Sequence, residues 1–339
     1  MPANLDLIIP GLFNLPVDTL DPAFLENDLP ALNHFLRYAT PVKNRFFELE
    51  PILSACMGWK DHPVLPFAQS YVDQEAIDGH RYLLFKPVHL KADMHNAIVV
   101  AIEESQKNTD DINILINDLE VYFNVDCDIQ SIPFGNWLMH LKQCDPPRHY
   151  PHYLSVIGMK ADPYIEQSKA MLPWYKLMNE MQMYLHQHEI NQNRLETGLL
   201  AINSLWFWGA GSWTPDSTNS VGWFCDDELL RQFARVSGIE ITDLSKLEAS
   251  RFNQDSLVID LSVLQAMKTD TESNLQELLQ RIDRKLIKPL LNAVGKQRCN
   301  VRLRAGSGFD YQLRPVSRFK WWCKKKNLLT ASQFQPDRE

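Results

Sequence analysis

Long apolar runs are absent from this sequence. No stretch approaches the roughly 18 apolar residues that a membrane-crossing helix requires, so no membrane span is expected. Met1–Pro10 holds no basic segment followed by an extended apolar run. No secretory leader is therefore predicted, and the expected compartment is the cytoplasm, with its thiols reduced. Paired cysteines are missing too: Cys56, Cys127, Cys144, Cys225, Cys299 and Cys323 include no C-x-x-C, which leaves no locally encoded zinc site. Positive charge is in deficit, because 34 Lys and Arg stand against 42 Asp and Glu for a formal net charge of -8. Such a chain lacks the broad basic field of a general nucleic-acid binder. There is no G-x-S-x-G elbow, no P-loop and no dinucleotide fingerprint, which removes the simplest signatures of acyl transfer, nucleotide hydrolysis and hydride transfer. A repeat of fixed period and low-complexity tracts are also absent.

What is present is an ordinary globular composition, 45% apolar and 22% charged over 339 residues. That length exceeds the roughly 250–300 residues at which one core stops growing. The expectation is one large α/β body over 1–339, with a smaller subdomain around 58–160 and a basic, tryptophan-containing tail over 314–339. The run Leu5–Ile9, ended by Pro10-Gly11, predicts a buried first strand and a sharp turn. Leu29, Leu32, Phe35, Leu36 and Ala39 fall at helical spacing behind Asp28, a predicted N-cap. Helices are also predicted over 46–57, 109–123, 173–193, 226–236 and 272–294. Strands are expected at 202–208, 221–225 and 257–261. Arg81–Leu90 is β-rich, with Pro87 marking an edge or a bulge. Hairpins are predicted over 128–141 and 300–313, and the proline-rich Cys144–Tyr153 reads as a boundary or an exposed crossing. Strands alternating with helices predict a mostly parallel sheet with helices on both faces.

Several residues are candidates for a site. His186 and His188 would point about 200° apart on a helix and could not share a metal there. If the helix has ended, an extended pair faces one side and could bind zinc, and Asn191 and Asn193 suggest fraying. Along Asn203–Trp208, Asn203, Leu205 and Phe207 share one face, with Ser204, Trp206 and Trp208 on the other. Gly209 and Gly211 then permit close backbone approach, so the turn could floor a pocket beyond the strand's carboxyl end; the same pattern also fits a buried strand with a tight turn. His89 is a pocket candidate, against a role in capping backbone groups. Asp61-His62 and Asp93-x-His95 are the local Asp/His pairs and read weakly as metal ligands. Cys56 stands at a helix C-terminus, where the dipole raises a thiol pKa. In the tail, Arg314, Arg318, Lys320, Lys324, Lys325 and Lys326 surround Trp321 and Trp322, a pattern that fits a solvated face or an anionic surface.

The stretch His186–Gly211, with its H-x-H-x-x-N element followed by N-S-L-W-F-W-G-x-G, resembles the RpfE-type regulatory family. Tyr82–Asp93, Leu29–Ala39 and Arg318–Leu329 fit the same family, so the resemblance spans nearly the whole chain. The Asn203–Gly211 motif also resembles a segment of archaeal-type cofactor-independent phosphoglycerate mutases. IIPGL at Ile8–Leu12 matches the first strand and turn of those enzymes. This implies an alkaline-phosphatase-like α/β fold. The pattern departs at two places. The superfamily's first strand ends in a metal-binding aspartate, where this chain has Pro10, and its late G-D-H has no counterpart here. Losing these groups should abolish a two-metal site. The implied function is a pseudoenzyme: a regulator that binds a small phosphorylated metabolite or a protein partner, with no metal and no cofactor. The alternative is a phosphoglycerate-mutase-like phosphoryl transferase with relocated residues. The expected ligand-binding set is His89, His186, His188, Asn193, Asn203, Trp206, Trp208, Gly209 and Gly211; no catalytic residue is assigned.

Overall fold

Alternation and continuous apolar runs produce these strands among the described residues: β1 (Asn4–Ile8), β2 (Thr40–Lys43), β3 (Tyr82–Asp93), β4 (Asn96–Ala101), β5 (Cys127–Ile132), β6 (Asn136–Leu141), β7 (Ser204–Trp208), β8 (Gly222–Cys225), β9 (Ile241–Thr242), β10 (Ser256–Ile259), β11 (Asn300–Arg304) and β12 (Phe309–Leu313). The computed structural model describes residues 3–44, 46–57, 65–72, 81–93, 96–102, 109–147, 150–164, 168–211, 221–249, 252, 254–267, 273–297, 299–315 and 325–333. The chain divides into two compact units, Met1–Lys60 with Pro215–Glu339, and Asp61–Thr214. The inserted unit runs well beyond the expected 58–160 and contains the proline-rich Cys144–Tyr153.

The first unit is built on a seven-stranded sheet in the order β2-β12-β11-β1-β10-β8-β9. Strands β11, β1, β10, β8 and β9 are parallel, while β12 runs antiparallel to β11 and β2 antiparallel to β12. Period-two alternation turns Leu5, Leu7, Val258, Val301 and Leu303 to one face, where they pack in a large core with Leu32, Phe35, Leu36, Leu279, Leu286 and Leu290 from the helices. The opposite face carries Asp6 and Arg304.

Two local expectations are corrected in this unit. Helix Pro30–Tyr38 is not capped by Asp28: Leu29 holds the N-cap position and offers no side-chain acceptor. Asp283 supplies it from 251 residues away, its Oδ1 accepting the Leu32 amide at 2.6 Å. The long helix predicted over 272–294 is Ser273–Ile282 and Lys288–Gln297, joined by a π-helical turn at Asp283–Ile287. Pro289 explains the widened turn, because its missing N–H cannot continue the regular helical ladder.

The second unit's sheet is antiparallel throughout, in the order β4-β3-β6-β5 with β7 also paired to β3. Pro87 lies in the middle of β3, contrary to the edge or bulge reading. On one side, β3 changes partner, from β6 at Tyr82–Phe85 to β4 from Val88 onward. Leu90 offers its amide and carbonyl to Asn203 on the β7 side. Alternation therefore points Pro87 to the other side, into the gap between β6 and β4, where no ladder donor is needed. Phe85, Leu115, Leu119, Met139, Trp174, Met181 and Phe207 fill the core. The helix predicted over 173–193 is also interrupted: Leu172–Gln187 ends at His188, whose extended backbone restarts the chain as Glu189–Glu196.

Candidate functional site

In open α/β sheets, ligands sit beyond the carboxyl ends of parallel strands, because helix starts and unpaired amides converge there. At that end of β1, the Ile9 and Gly11 amides donate to the Arg304 and Ala305 carbonyls at 3.0 and 2.9 Å. Pro10 lies between these two donors, so its missing N–H costs no bond toward β11. Gly11 has φ +82°, and a Cβ there would come within 3.1 Å of the Met267 sulfur, so the turn is closely packed.

The strand beside it, β10, is followed by Asp260, which is buried. Asp260 Oδ1 accepts the Ser262 amide at 2.8 Å, and its Oδ2 pairs with Arg281 Nη2 at 3.1 Å. The same Nη2 donates to the Ser262 hydroxyl. Asp260 is 4% exposed and Arg281 38% exposed. The guanidinium therefore reaches from a buried carboxylate out to solvent. Its Nε and Nη1 have no hydrogen-bond partner among the described residues. At the end of β8, Asp226 Oδ1 accepts the Leu244 amide and Asp227 Oδ1 accepts the Leu230 amide, each at 3.0 Å. Arg231 Nη1 ties the Cys225 carbonyl to Asp243 at 3.0 and 2.8 Å. The carboxylates here are thus committed to amides and guanidinium groups. Among the described residues, no three His, Cys, Asp or Glu side chains gather as a metal site would require.

A second polar group is buried in the same unit. Arg304 Nε donates to Asp6 at 2.7 Å and its Nη1 pairs with Asp310 at 3.2 Å, while Asn44 donates to Asp310. Burial raises the Asp310 carboxyl above its ordinary pKa, against the opposing pull of Arg304. Burial, followed by the charge of Asp6, pushes the Cys56 thiol up to about 12. Cys56 is a protonated thiol at neutral pH, and desolvation is the larger reason for it.

The expected ligand residues fall into separate neighbourhoods of the second unit. His89 Nδ1 contacts the Ala201 carbonyl at 2.9 Å. Asn203 accepts the Leu90 amide at 2.7 Å and donates to the Leu90 carbonyl at 3.0 Å, so its side chain extends the β3 ladder past β7. Trp206 donates from its indole to the Pro151 carbonyl at 3.0 Å and stacks on Tyr150. Trp208 is buried against His152 and Tyr153, and its indole N–H finds no acceptor among the described residues. Gly209 has φ +71°; a Cβ there would meet the Phe67 Cβ at 3.0 Å, and its carbonyl accepts the Ala68 amide at 3.0 Å. Gly211 has φ +132° and lies against Pro66. His188 sits at the corner between two helices. Its Nδ1 accepts the Ile190 amide at 3.2 Å, which places the proton on Nε2, 3.1 Å from Asp118. His186 and Asn193 are exposed. Neighbouring Asn191 does not fray: it is buried and makes three bonds, to the Leu185 carbonyl and to both backbone groups of Ile202. Asp61-His62, His95 and the Trp321-Trp322 pair lie outside the described residues.

Sequence reasoning missed Asp260, Arg281, Asp6 and Arg304. One signal was available: Asp6 in NLDLI and Asp260 in LVIDL are lone charges within apolar strands. A charge in such a place needs a partner.

No family model matches the chain, and no curated protein matches it. Solved structures do. The PH0037 protein from Pyrococcus horikoshii is 14% identical, with a TM-score of 0.50 over 92% of this chain and 86% of that one. A cofactor-independent phosphoglycerate mutase from Thermoplasma acidophilum is also 14% identical, with a TM-score of 0.40 over 92% of this chain and 89% of that one. The first likeness is one of fold alone, and the second is too distant to bear on function.

Proposed function

We propose that this chain is an RpfE-type regulator on an alkaline-phosphatase-like fold. In this reading it takes a phosphorylated small molecule at the carboxyl end of its parallel sheet, without a pair of metal ions. Arg281 carries the reading. Its partner Asp260 is buried, yet the guanidinium is held through one nitrogen and presents Nε and Nη1 outward. The N–H groups left on Nε and Nη1 can donate to phosphate oxygens as charge-assisted hydrogen bonds, while Nη2 stays with Asp260 and Ser262. Pro10 at the end of β1 and Asp260 engaged by Arg281 support a site that binds an anion in place of cations.

A thermal-shift screen of phosphorylated metabolites tests this proposal. A binder at 100 times its dissociation constant adds about 2.7 kcal/mol of stability. Arg281→Gln should remove the shift, and should also lower the unliganded melting point, because it leaves the buried Asp260 carboxylate without its ion-pair partner. Stoichiometric manganese or zinc in protein purified without chelator, together with phosphoglycerate turnover, would overturn the reading in favour of a phosphoryl transferase. A second placement is favoured by one observation, the buried Trp208 indole, which has no acceptor among the described residues. If the ligand sits at the Trp208–Gly211 turn, Trp208→Phe abolishes the shift and Arg281→Gln does not. If no metabolite shifts the protein, a protein partner becomes the better reading.

A further inference from the structure

A concave surface in the first unit is separate from the residues at the carboxyl end of the sheet. Helix Pro30–Tyr38 buries Ala31, Leu32, Phe35 and Leu36 against the core. Helical periodicity therefore lines up Pro30, His34 and Arg37 along its outward stripe. Facing this stripe is the start of helix Leu328–Ser332. There Asn327 and Thr330 close a capping box that fixes the backbone just after Lys325 and Lys326. Between the two walls lies a cavity of about 420 Å³, lined by Glu26, His34, Arg37, Lys325, Lys326 and Thr330 among others. Pockets for small molecules run from roughly 300 to 1,000 Å³, so the space suits a metabolite.

The charge of the lining is one-sided. Among the described lining residues Arg37, Lys325 and Lys326 are the fixed cations and Glu26 supplies the carboxylate. Neither lysine makes an ion pair among the described residues. Arg37 lies over the Tyr38 ring, 5.2 Å from its centroid, which restrains the side chain along the wall. Among the described lining residues positive groups outnumber negative ones, which suits the -1.5 to -2 charge of a phosphate monoester at neutral pH. A long polyanion is the poorer match, because the cavity is a local depression rather than a groove that tracks a backbone, and the whole chain carries -8.

We propose that this cavity is a binding site for the phosphate monoester of a small molecule, distinct from the Arg281 site. The phosphate is held by Arg37, Lys325 and Lys326, and the remainder of the ligand occupies the space beside Thr330.

Titration calorimetry on the full chain tests this, with glucose 6-phosphate as the probe and glucose as its uncharged counterpart. The phosphorylated probe should bind, and glucose should not. The double variant Lys325→Glu with Lys326→Glu should weaken binding by about tenfold or more, since charge-assisted hydrogen bonds are lost. Its circular dichroism and melting temperature should match wild type, because both side chains are surface groups preceding the cap. Lys325→Arg with Lys326→Arg keeps the charge and should retain binding. Arg281→Gln should leave this affinity unchanged even if the reading of the Arg281 site fails. The proposal is overturned if neither glucose 6-phosphate nor inorganic phosphate binds, or if the charge-reversed variant binds as well as wild type. It is equally overturned if a single-stranded RNA binds where the small phosphates do not.

Discussion

The two units solve the same problem, a polar group inside a core, with different chemistry. The first unit buries ions. Asp6, Arg304 and Asp310 form a charged triad across β1, β11 and β12, and Asp260 is held by Arg281. The second unit relies more on amides: buried Asn191 joins Leu185 to Ile202 and half-buried Asn203 extends the ladder at Leu90, while its buried guanidinium, Arg194, donates to the Leu200 carbonyl. A buried ion depends on its partner, since unpaired charge in a low dielectric is costly. A neutral amide makes the same connections without that liability, but also without net charge to offer a ligand. The difference suggests where an anionic ligand would be bound, because the exposed guanidinium of Arg281 and the basic cavity both belong to the first unit.

The largest expected effect comes from breaking the charged triad. Arg304→Ala removes the partner of two carboxylates at once, and the loss should be about 3–5 kcal/mol. Arg304→Met restores the bulk but not the charge, so it should recover little while Asp6 and Asp310 remain. Hydrogen exchange of the β1, β11 and β12 amides would read the loss. A change under about 1 kcal/mol would mean that water reaches the pair and that the contrast between the units is weaker than drawn.

The matching substitution in the second unit is Asn191→Ala. Three backbone groups lose their partner, and the expected cost is about 2–3 kcal/mol, less than for Arg304 because no ion is stranded. Asn191→Asp sharpens the test. It keeps the acceptor for the Ile202 amide but sets a carboxylate against the Leu185 and Ile202 carbonyls, so it should be worse than alanine at neutral pH and improve as pH falls.

These two hubs also mark how far the sequence could be read. The hairpin of β11 and β12, the helix over Thr109–Tyr122 and the alternation through Asn203–Trp208 are local patterns, and local periodicity locates them to within a residue or two. The cap on Leu32 comes from a residue 251 positions away, and Asp6 meets Arg304 across 298. No window of sequence contains such a pair. Asn191 illustrates the opposite error. An asparagine near a helix end suggests fraying, because its propensity for turns is visible locally and its buried partners are not. The same limit applies to the site: Pro10 can be read directly from the sequence, but the Arg281 that engages Asp260 cannot.

A smaller effect is expected at Gly209, where the second unit relies on an absent side chain. With φ +71°, alanine is strained there, and its Cβ would meet the Phe67 Cβ at 3.0 Å and the Phe67 and Ala68 backbone nitrogens at 3.3 Å. Backbone atoms cannot swing aside as a flexible side chain does, so Gly209→Ala should cost about 2 kcal/mol. Gly238 has a similar φ, +68°, but a Cβ there would meet nothing within 4 Å, so alanine at that position isolates the conformational part of the penalty. Chemical denaturation of both variants separates strain from collision. Equal losses would show that the Phe67–Ala68 segment yields.

The smallest expected effect is a pH dependence confined to the charged triad. Burial raises the Asp310 carboxyl above its ordinary value. Folded protein therefore holds the Asp310 proton at pH values where the unfolded chain has released it. With more protons bound in the native state, the contribution of this group is fully present below the unfolded pKa of about 4 and is lost as pH rises through the folded pKa. Asp310→Asn cannot titrate. The stability of wild type relative to this variant should thus decline as pH is raised from about 4, and then level off once Asp310 is ionised in both states. Urea midpoints measured across that range would show the slope. A difference that instead grew with pH would mean that Arg304 holds Asp310 ionised throughout, making the triad a net source of stability at neutral pH. Asn191→Ala, which removes no ionisable group, should show no such slope relative to wild type, and that contrast separates the ionic hub from the amide one.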